Sequence, residues 1–446
     1  MALIGDIVIY IIMAFVVIGA IAAVRDDEHG MGREFKEGLY SIGPIFVPVA
    51  GIMASIPYLS RFIEWAIGPI FGLVGASPAM AGTTFIAVDM GGYQLAQATA
   101  GNTADWIMAS IIGYMAGATI VFSIPVGLAM LDNRDHKYMA LGIMSGILTV
   151  PIGVLITTGI LSLTNADVRD EVSTTAQSTF SMGALGFGTI FANLVPLVMI
   201  VVAIALGLYF YADAMIKGFM WFGRFMDAGI KLVLAFSIVE YFTGFFSTVL
   251  GGWGFDPIIA DAQDQFRALE IAGYIGIVLA GAFPMVYAIR TYLARPLNAV
   301  GRRVGMSVEG SAGVLAAAAN ILALYHLIRK MPPKDKVLCI AFAVCSAFLL
   351  GDHLAFTANF QPNMILPLML GKFGAGLLAM VLAVWIAVPK ARELEEQDRA
   401  AGVIAPGEYL PVGGLGAGER GPVEDPETGA RREEEDPEGD PQRVDR

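Results

Sequence analysis

Two short stretches put ionisable side chains where the surrounding chain is apolar. In LGDHLAFTANF, residues 350–360, Asp352 and His353 stand side by side and Thr357 and Asn359 follow. In IAVDMGGYQLAQ, residues 86–97, Asp89 precedes Gly91-Gly92, a pair that frees the backbone just after the acid. An ionised group at membrane depth costs several kcal/mol unless it faces a bundle interior, a partner or water, so each is a candidate functional group. A carboxylate there can bind a cationic substrate or a coupling proton, with His353 tuning it or titrating itself. The competing reading of Asp352 is a helix cap for the N–H groups of residues 354–357. Tyr93 and Phe356 follow the acids closely and Phe122 stands in the run after the first, and aromatic faces suit an ammonium ion through cation–π attraction; packing is their simpler role. Thr119, Ser123, Thr357 and Asn359 could hydrogen-bond a hydroxyl, or bond between helices and back onto their own. Glu240, in FSIVEYF, is a third acid that could pair with an interfacial cation.

The elements that must position these groups are membrane helices. Of 446 residues 56% are hydrophobic and 15% charged, against about a quarter charged in a soluble domain. Apolar runs of the roughly 20 residues needed to cross the hydrocarbon layer recur, most clearly at 4–23, 140–163, 187–210 and 364–388. The first has no basic flank ahead of it and is too long for a signal core, so it is expected to be a retained helix. From Lys390 onward 8 basic and 16 acidic residues account for most of the net charge of −12. That composition predicts an acidic, disordered cytoplasmic tail over 389–446, beyond a transport domain at 1–388. Cys339 and Cys345 lack metal-ligand spacing and read as small buried hydrophobes. No phosphate loop, nucleophile elbow or metal cluster is present, and no basic nucleic-acid surface; no cofactor, metal or catalytic residue is expected.

Lys and Arg gather at 25–36, 134–137, 217–231, 290–303 and 329–336, while 101–105, 165–181 and 251–270 are poor in them. Basic loops stay cytoplasmic. The alternation fails if 78–98 and 312–328 both cross, and holds if each enters and leaves on one side. The expectation is an all-α polytopic bundle of about nine crossings with re-entrant hairpins within 62–98 and 304–328, the N-terminus outside and the C-terminus inside. About eleven full spans is the alternative. The hairpins also resemble each other: one holds Asp89 and Tyr93-Gln94-Leu95 and precedes a run interrupted at 117–119 and Pro125, the other holds Asn320 and Tyr325-His326-Leu327 and precedes the break at 351–353. Opposite directions of those runs predict an inverted repeat, a recurring transporter design.

SPAMAGTTFIAVDMGGYQLA, GATIVFSIPVGLAML, LGIMSGILTVPIG and AFAVCSAFLLGDHLAFTANF, with GDIVIYIIMAFVVIGA and GYIGIVLAGAFPMV, resemble segments of the bacterial ethanolamine-utilisation permease family, in the same order. The family's Asn-Asn-Ile-Pro string stands here as Ala319-Asn320-Ile321-Leu322. The resemblance implies a multi-pass cytoplasmic-membrane permease that imports ethanolamine, chiefly at acid pH where little uncharged amine remains. An acid for the ammonium, rings around it and hydroxyl or amide groups for the alcohol fit that substrate. Proton coupling, sodium coupling and facilitated diffusion stay open, as does oligomeric state. The alternatives are a carrier of another small polar solute, such as an amino alcohol, amino acid or nucleoside, and a membrane enzyme using Asp352-His353 as an acid–base pair.

Overall fold

A computed structural model describes residues 2–303, 305–405 and 408–409. Helices dominate: α1 (Ala2–Arg25), α2 (Gly30–Tyr40), α3 (Ile42–Ala54), α4 (Ala79–Phe85), α5 (Gly92–Thr99), α6 (Thr103–Met130) and α7 (Asn133–Leu163). Then come α8 (Phe187–Phe210), α9 (Ala212–Thr243), α10 (Ala268–Arg303), α11 (Val308–Ala319) and α12 (Ile321–Ile328). The described chain ends with α13 (Pro333–Ser346), α14 (Asp352–Phe360), α15 (Ile365–Ile386) and α16 (Val388–Ala400). A two-residue ribbon, Asp167–Val168 against Phe180–Ser181, is the sole strand pair among the described residues. The chain is an all-α polytopic membrane protein.

Seven helical stretches among the described residues are long and apolar enough to cross a bilayer. Two more elements would have to cross to reach the nine expected, and both depart from a plain apolar helix for physical reasons. The α13–α14 run is broken between residues 347 and 351. The other is α9, and here the sequence expectation is corrected: residues 217–231 are not a loop but the middle of a continuous helix of 32 residues. Lys217, Arg224 and Lys231 recur every seven residues, so they share a helix face, and Lys231 pairs with Asp227 at 2.7 Å. Likewise residues 290–303 are the last turns of α10 rather than a loop. Glu240 pairs with no cation among the described residues: near the end of α9, its carboxylate accepts the Phe246 and Ser247 N–H groups of the short helix that follows.

Helices α4 and α5 pack on each other, as do α11 and α12, so each pair is a hairpin. Their turns are tight. Gly91 has φ +91°, and a Cβ at Gly92 would lie 2.5 Å from the Ala87 carbonyl oxygen, so the Gly-Gly pair is a backbone requirement. Each hairpin's first helix ends against the run that follows. A Cβ at Gly117 of α6 would meet the Ile86 and Thr83 oxygens. In the other half the unwound Phe348 and Leu350 donate N–H groups to Ala317 and Ala318 oxygens at 3.3 and 2.8 Å. The interruption expected in α6 takes another form: the helix continues, but with wide π-type turns from Gly113 to Ser123.

The expected tail begins too early. Helix α16 is ordered and held to the bundle, with Asp398 accepting from Lys137 at 2.5 Å and Tyr138 at 2.7 Å. Apolar Val388 and Ala391 anchor its first turn, which the charge run obscures in sequence. Residues 410–446 lie outside the described residues. Nearby, Lys336 bonds Asp135 at 2.6 Å, each side chain 1% exposed. Removing one member of a buried pair strands the other, which typically costs about 3–5 kcal/mol. Lys336→Met should therefore destabilise the purified protein by about that amount in thermal unfolding, and adding Asp135→Leu should recover most of the loss.

Candidate functional site

Four separate pieces of chain converge on one cavity of about 380 Å³. The first hairpin's turn supplies Asp89, the second supplies Asn320, α6 supplies Phe122, and the broken run supplies Phe348, Asp352 and His353. Across from them stand α2 and α3, with Glu37, Tyr40, Ser41 and Pro44, and Phe283 of α10. Three carboxylates thus line a cavity walled by four aromatic rings. Asp352 is not a side-chain cap. It is the first residue of α14, where Gly351 holds the cap position, and its carboxylate accepts no hydrogen bond from the described residues. It faces the cavity because Gly351 seats against the second hairpin: a Cβ there would lie 2.4 Å from the Ala319 oxygen.

Behind the acids is a cation that the sequence reasoning passed over. Lys372 sits in the middle of α15, 1% exposed, in LMLGKFGAG. The signal was available, since the rule that flags a lone charge in an apolar span applies to Lys as it does to Asp. Its Nζ donates to the Tyr114 carbonyl at 2.6 Å and lies 2.9 Å from His353 Nδ1. An ammonium only donates, so Nδ1 accepts and the ring proton belongs on Nε2. That Nε2 has no hydrogen-bond partner and lies 4.0 Å from Asp89 Oδ1. Lys372, His353 and Asp89 thereby form a line that ends at the cavity.

Asn320 keeps a free donor. Its Oδ1 caps α12 by accepting from Leu322 N at 2.8 Å, leaving its amide nitrogen without a partner among the described residues.

Six other expected ligands line no part of this cavity, and their groups are taken up in the bundle. Thr119 donates to the Val344 oxygen at 2.7 Å, and Ser123 back to Ala118 at 3.2 Å. Thr357 is engaged with the His353 oxygen and the Tyr114 hydroxyl. Asn359 donates to Tyr274 and Ala355 oxygens, and its own carbonyl accepts from Arg169. Tyr93 and Phe356 are buried in a cluster with Phe360, and the Tyr93 hydroxyl accepts from Gln361. Asp89, Asp352, His353, Phe122 and Asn320 are brought together as expected from sequence.

The cavity adjoins a larger, mostly apolar space of about 700 Å³ that reaches Arg224 and Asp227 of α9. Pro44, Pro48, Met90 and Phe122 belong to both walls. Beside Asp89 and Met90 of the cavity wall, Ile52 and Met53 of α3 pack against Gly91, where an added Cβ would lie 2.9 Å from Ile52 Cγ2.

Residues 4–386 match the family model described as "Ethanolamine utilisation protein, EutH". A Listeria monocytogenes (serotype 1/2a, strain 10403S) protein named "Probable ethanolamine permease EutH" is 35% identical over 401 residues, covering 89% of this chain and 98% of the relative. An Escherichia coli (strain K12) protein of the same name is 34% identical over 411 residues, covering 87% and 96%. The "Uncharacterized protein YxeR" of Bacillus subtilis (strain 168) is 31% identical over 397 residues, covering 89% and 98%. No solved structure matches the chain. With the match running through both hairpins and the broken run, the chain belongs to the EutH family of ethanolamine utilisation proteins.

Proposed function

We propose that the protein is a permease that carries protonated ethanolamine across the cytoplasmic membrane, bound between Asp89 and Asp352. The observation that carries this reading is the meeting of those two carboxylates, one from each hairpin-and-span unit, in a single aromatic-walled cavity. The ammonium pairs with the acids, backed by Tyr40, Phe122, Phe283 and Phe348. The hydroxyl takes the free amide donor of Asn320. Glu37 adds a third negative charge, which disfavours solutes bearing a carboxylate, amino acids among them.

The sidedness follows the charge map. Arg134, Lys137 and Lys336 lie with the C-terminal helix and Glu408 and Tyr409, while Val172, Asp256 and Arg267 of the loops poor in basic residues gather around another cavity. This grouping supports a cytoplasmic C-terminus. With the Arg224 space adjoining the site and Ile52–Met53 closing its other side, the conformation corresponds to access from the cytoplasm. Alternating access then requires α2, α3 and α10 to part from the hairpin turns on the outer side.

The Lys372–His353–Asp89 line supports proton coupling, because every member can exchange a proton and the line ends at the substrate's counter-charge.

Asp352→Asn should abolish protein-dependent uptake of labelled ethanolamine into proteoliposomes with expression and folding intact; saturable uptake like that of the unaltered protein would sink the assignment. Applied separately, an outside-acid pH gradient should stimulate uptake several-fold and a sodium gradient should not. His353→Gln should remove the response to the pH gradient while leaving downhill exchange measurable, and a variant that still responds would exclude the histidine from coupling.

A further inference from the structure

A second polar cavity, of about 300 Å³, lies on the far side of the Ile52–Met53 closure, between α5 and the loop before α10. Gln94 and Gln97 of α5 line one wall, and Asp256, Asp264 and Arg267 the other. Gln94 is 8% exposed, and neither its Oε1 nor its Nε2 has a hydrogen-bond partner. An unpaired buried amide costs about 1–3 kcal/mol per group, so such a side chain calls for an explanation. It stands two residues after Gly92, in the first turn of a helix of eight residues that follows directly on the Asp89 junction, and nothing about the hairpin turn needs an amide there. The wall opposite is also incompletely matched. One guanidinium serves three acids, at 4.0 Å from Asp256, 3.4 Å from Asp261 and 3.5 Å from Asp264, and its Nε is buried without a partner. Burial pushes the Asp256 carboxyl above its usual range, Arg267 draws it down, and Asp264 and Asp261 push it up again. A further cation would relieve that crowding.

We infer that this cavity is an outer binding site for the same ammonium alcohol, occupied before the Ile52–Met53 closure opens onto Asp89 and Asp352. The ammonium sits against Asp256 and Asp264, and the hydroxyl, which donates and accepts, meets the Gln94 amide and Arg267 Nε. Met53 lines this cavity, and its neighbour Ile52 presses on Gly91. A single shift of α3 therefore both uncovers the central acids and disturbs the outer site, so the substrate can be handed from one to the other.

The inference rests on the ammonium-alcohol substrate proposed above, and equilibrium binding of labelled ethanolamine to the purified full-length chain separates the two. The unaltered protein should bind two molecules per chain. Asp352→Asn should keep one, the outer site, although it no longer transports. Gln94→Leu should weaken outer binding about five- to tenfold, the loss of one buried hydrogen bond, and raise the half-saturating concentration for uptake. Asp264→Asn, at a partly exposed position that should not threaten folding, is expected to act in the same direction. One site per chain that vanishes in Asp352→Asn and is untouched by Gln94→Leu and Asp264→Asn would overturn the outer site while leaving the transport reading in place. No binding of ethanolamine by the unaltered protein would remove both. Two sites with normal transport in Asp352→Asn would remove the central assignment alone.

Discussion

The structure depends on a constraint that membranes impose on backbone: where a helix stops inside the bundle, its N–H and C=O groups must find partners within the protein. Helix α11 ends with carbonyls that have no partner in their own helix. They are met by the N–H groups of Phe348 and Leu350, which are available because the α13–α14 run is unwound there. One break thus satisfies the other. In the first half the junction is one of close approach, since Gly113 and Gly117 let the Ile86 and Thr83 carbonyls come against the wide turns of α6. Asp89 and Asp352 stand at these two junctions. They occupy places where the backbone is already irregular, polar and walled off from lipid, the setting in which a charge at that depth is tolerated.

A second set of bonds ties the halves to each other. Tyr325, on the second helix of the second hairpin, donates to the Ser123 oxygen of α6 at 2.6 Å. Tyr93, on the second helix of the first hairpin, accepts from Gln361 just beyond α14 at 2.8 Å. Each tyrosine reaches from its own hairpin to the span of the other half. Such an exchange is what a two-fold relation between the halves would generate, and it joins the two acid-bearing junctions into one body. The opposing wall of α2, α3 and α10 contributes residues to the cavity without a bond of this kind to either acid.

The parts legible in the sequence were those that follow from charge and length. The loop charges drew attention to both hairpin segments, and the cost of burying an ion singled out Asp89 and Asp352 as candidates. What the sequence could not decide was direction around a helix. Thr119, Thr357 and Asn359 are of the right type and near the right place, but whether a hydroxyl or amide faces a cavity or a neighbouring carbonyl is set by packing across residues far apart, as between Thr119 and Val344. Glu37, Tyr40 and Phe283 were missed for the converse reason: they come from unrelated segments whose approach no local pattern announces. In α9 the seven-residue spacing of Lys217, Arg224 and Lys231 carried helical information that counting charges discarded. Lys372 was legible on the same ground as the acids, a lone charge in an apolar span.

That lysine bears on how the site stays both empty and stable. Without substrate, the cavity holds Asp89, Asp352 and Glu37 with no Lys or Arg of the described residues in its lining, and mutual repulsion of carboxylates in a partly desolvated space is unfavourable. Lys372 cannot reach the acids itself, being held by the Tyr114 oxygen, and acts through His353, whose Nε2 is left facing Asp89. The gap of 4.0 Å is too long for a hydrogen bond and short enough to close with a small movement of the α14 end. On the transport reading proposed above, a site wired in this way has a partial counter-charge when empty and gives Asp89 up to an incoming ammonium without first breaking a full ion pair. A direct Lys–Asp pair would compete with the substrate on equal terms; the histidine interposed between them keeps the acid available.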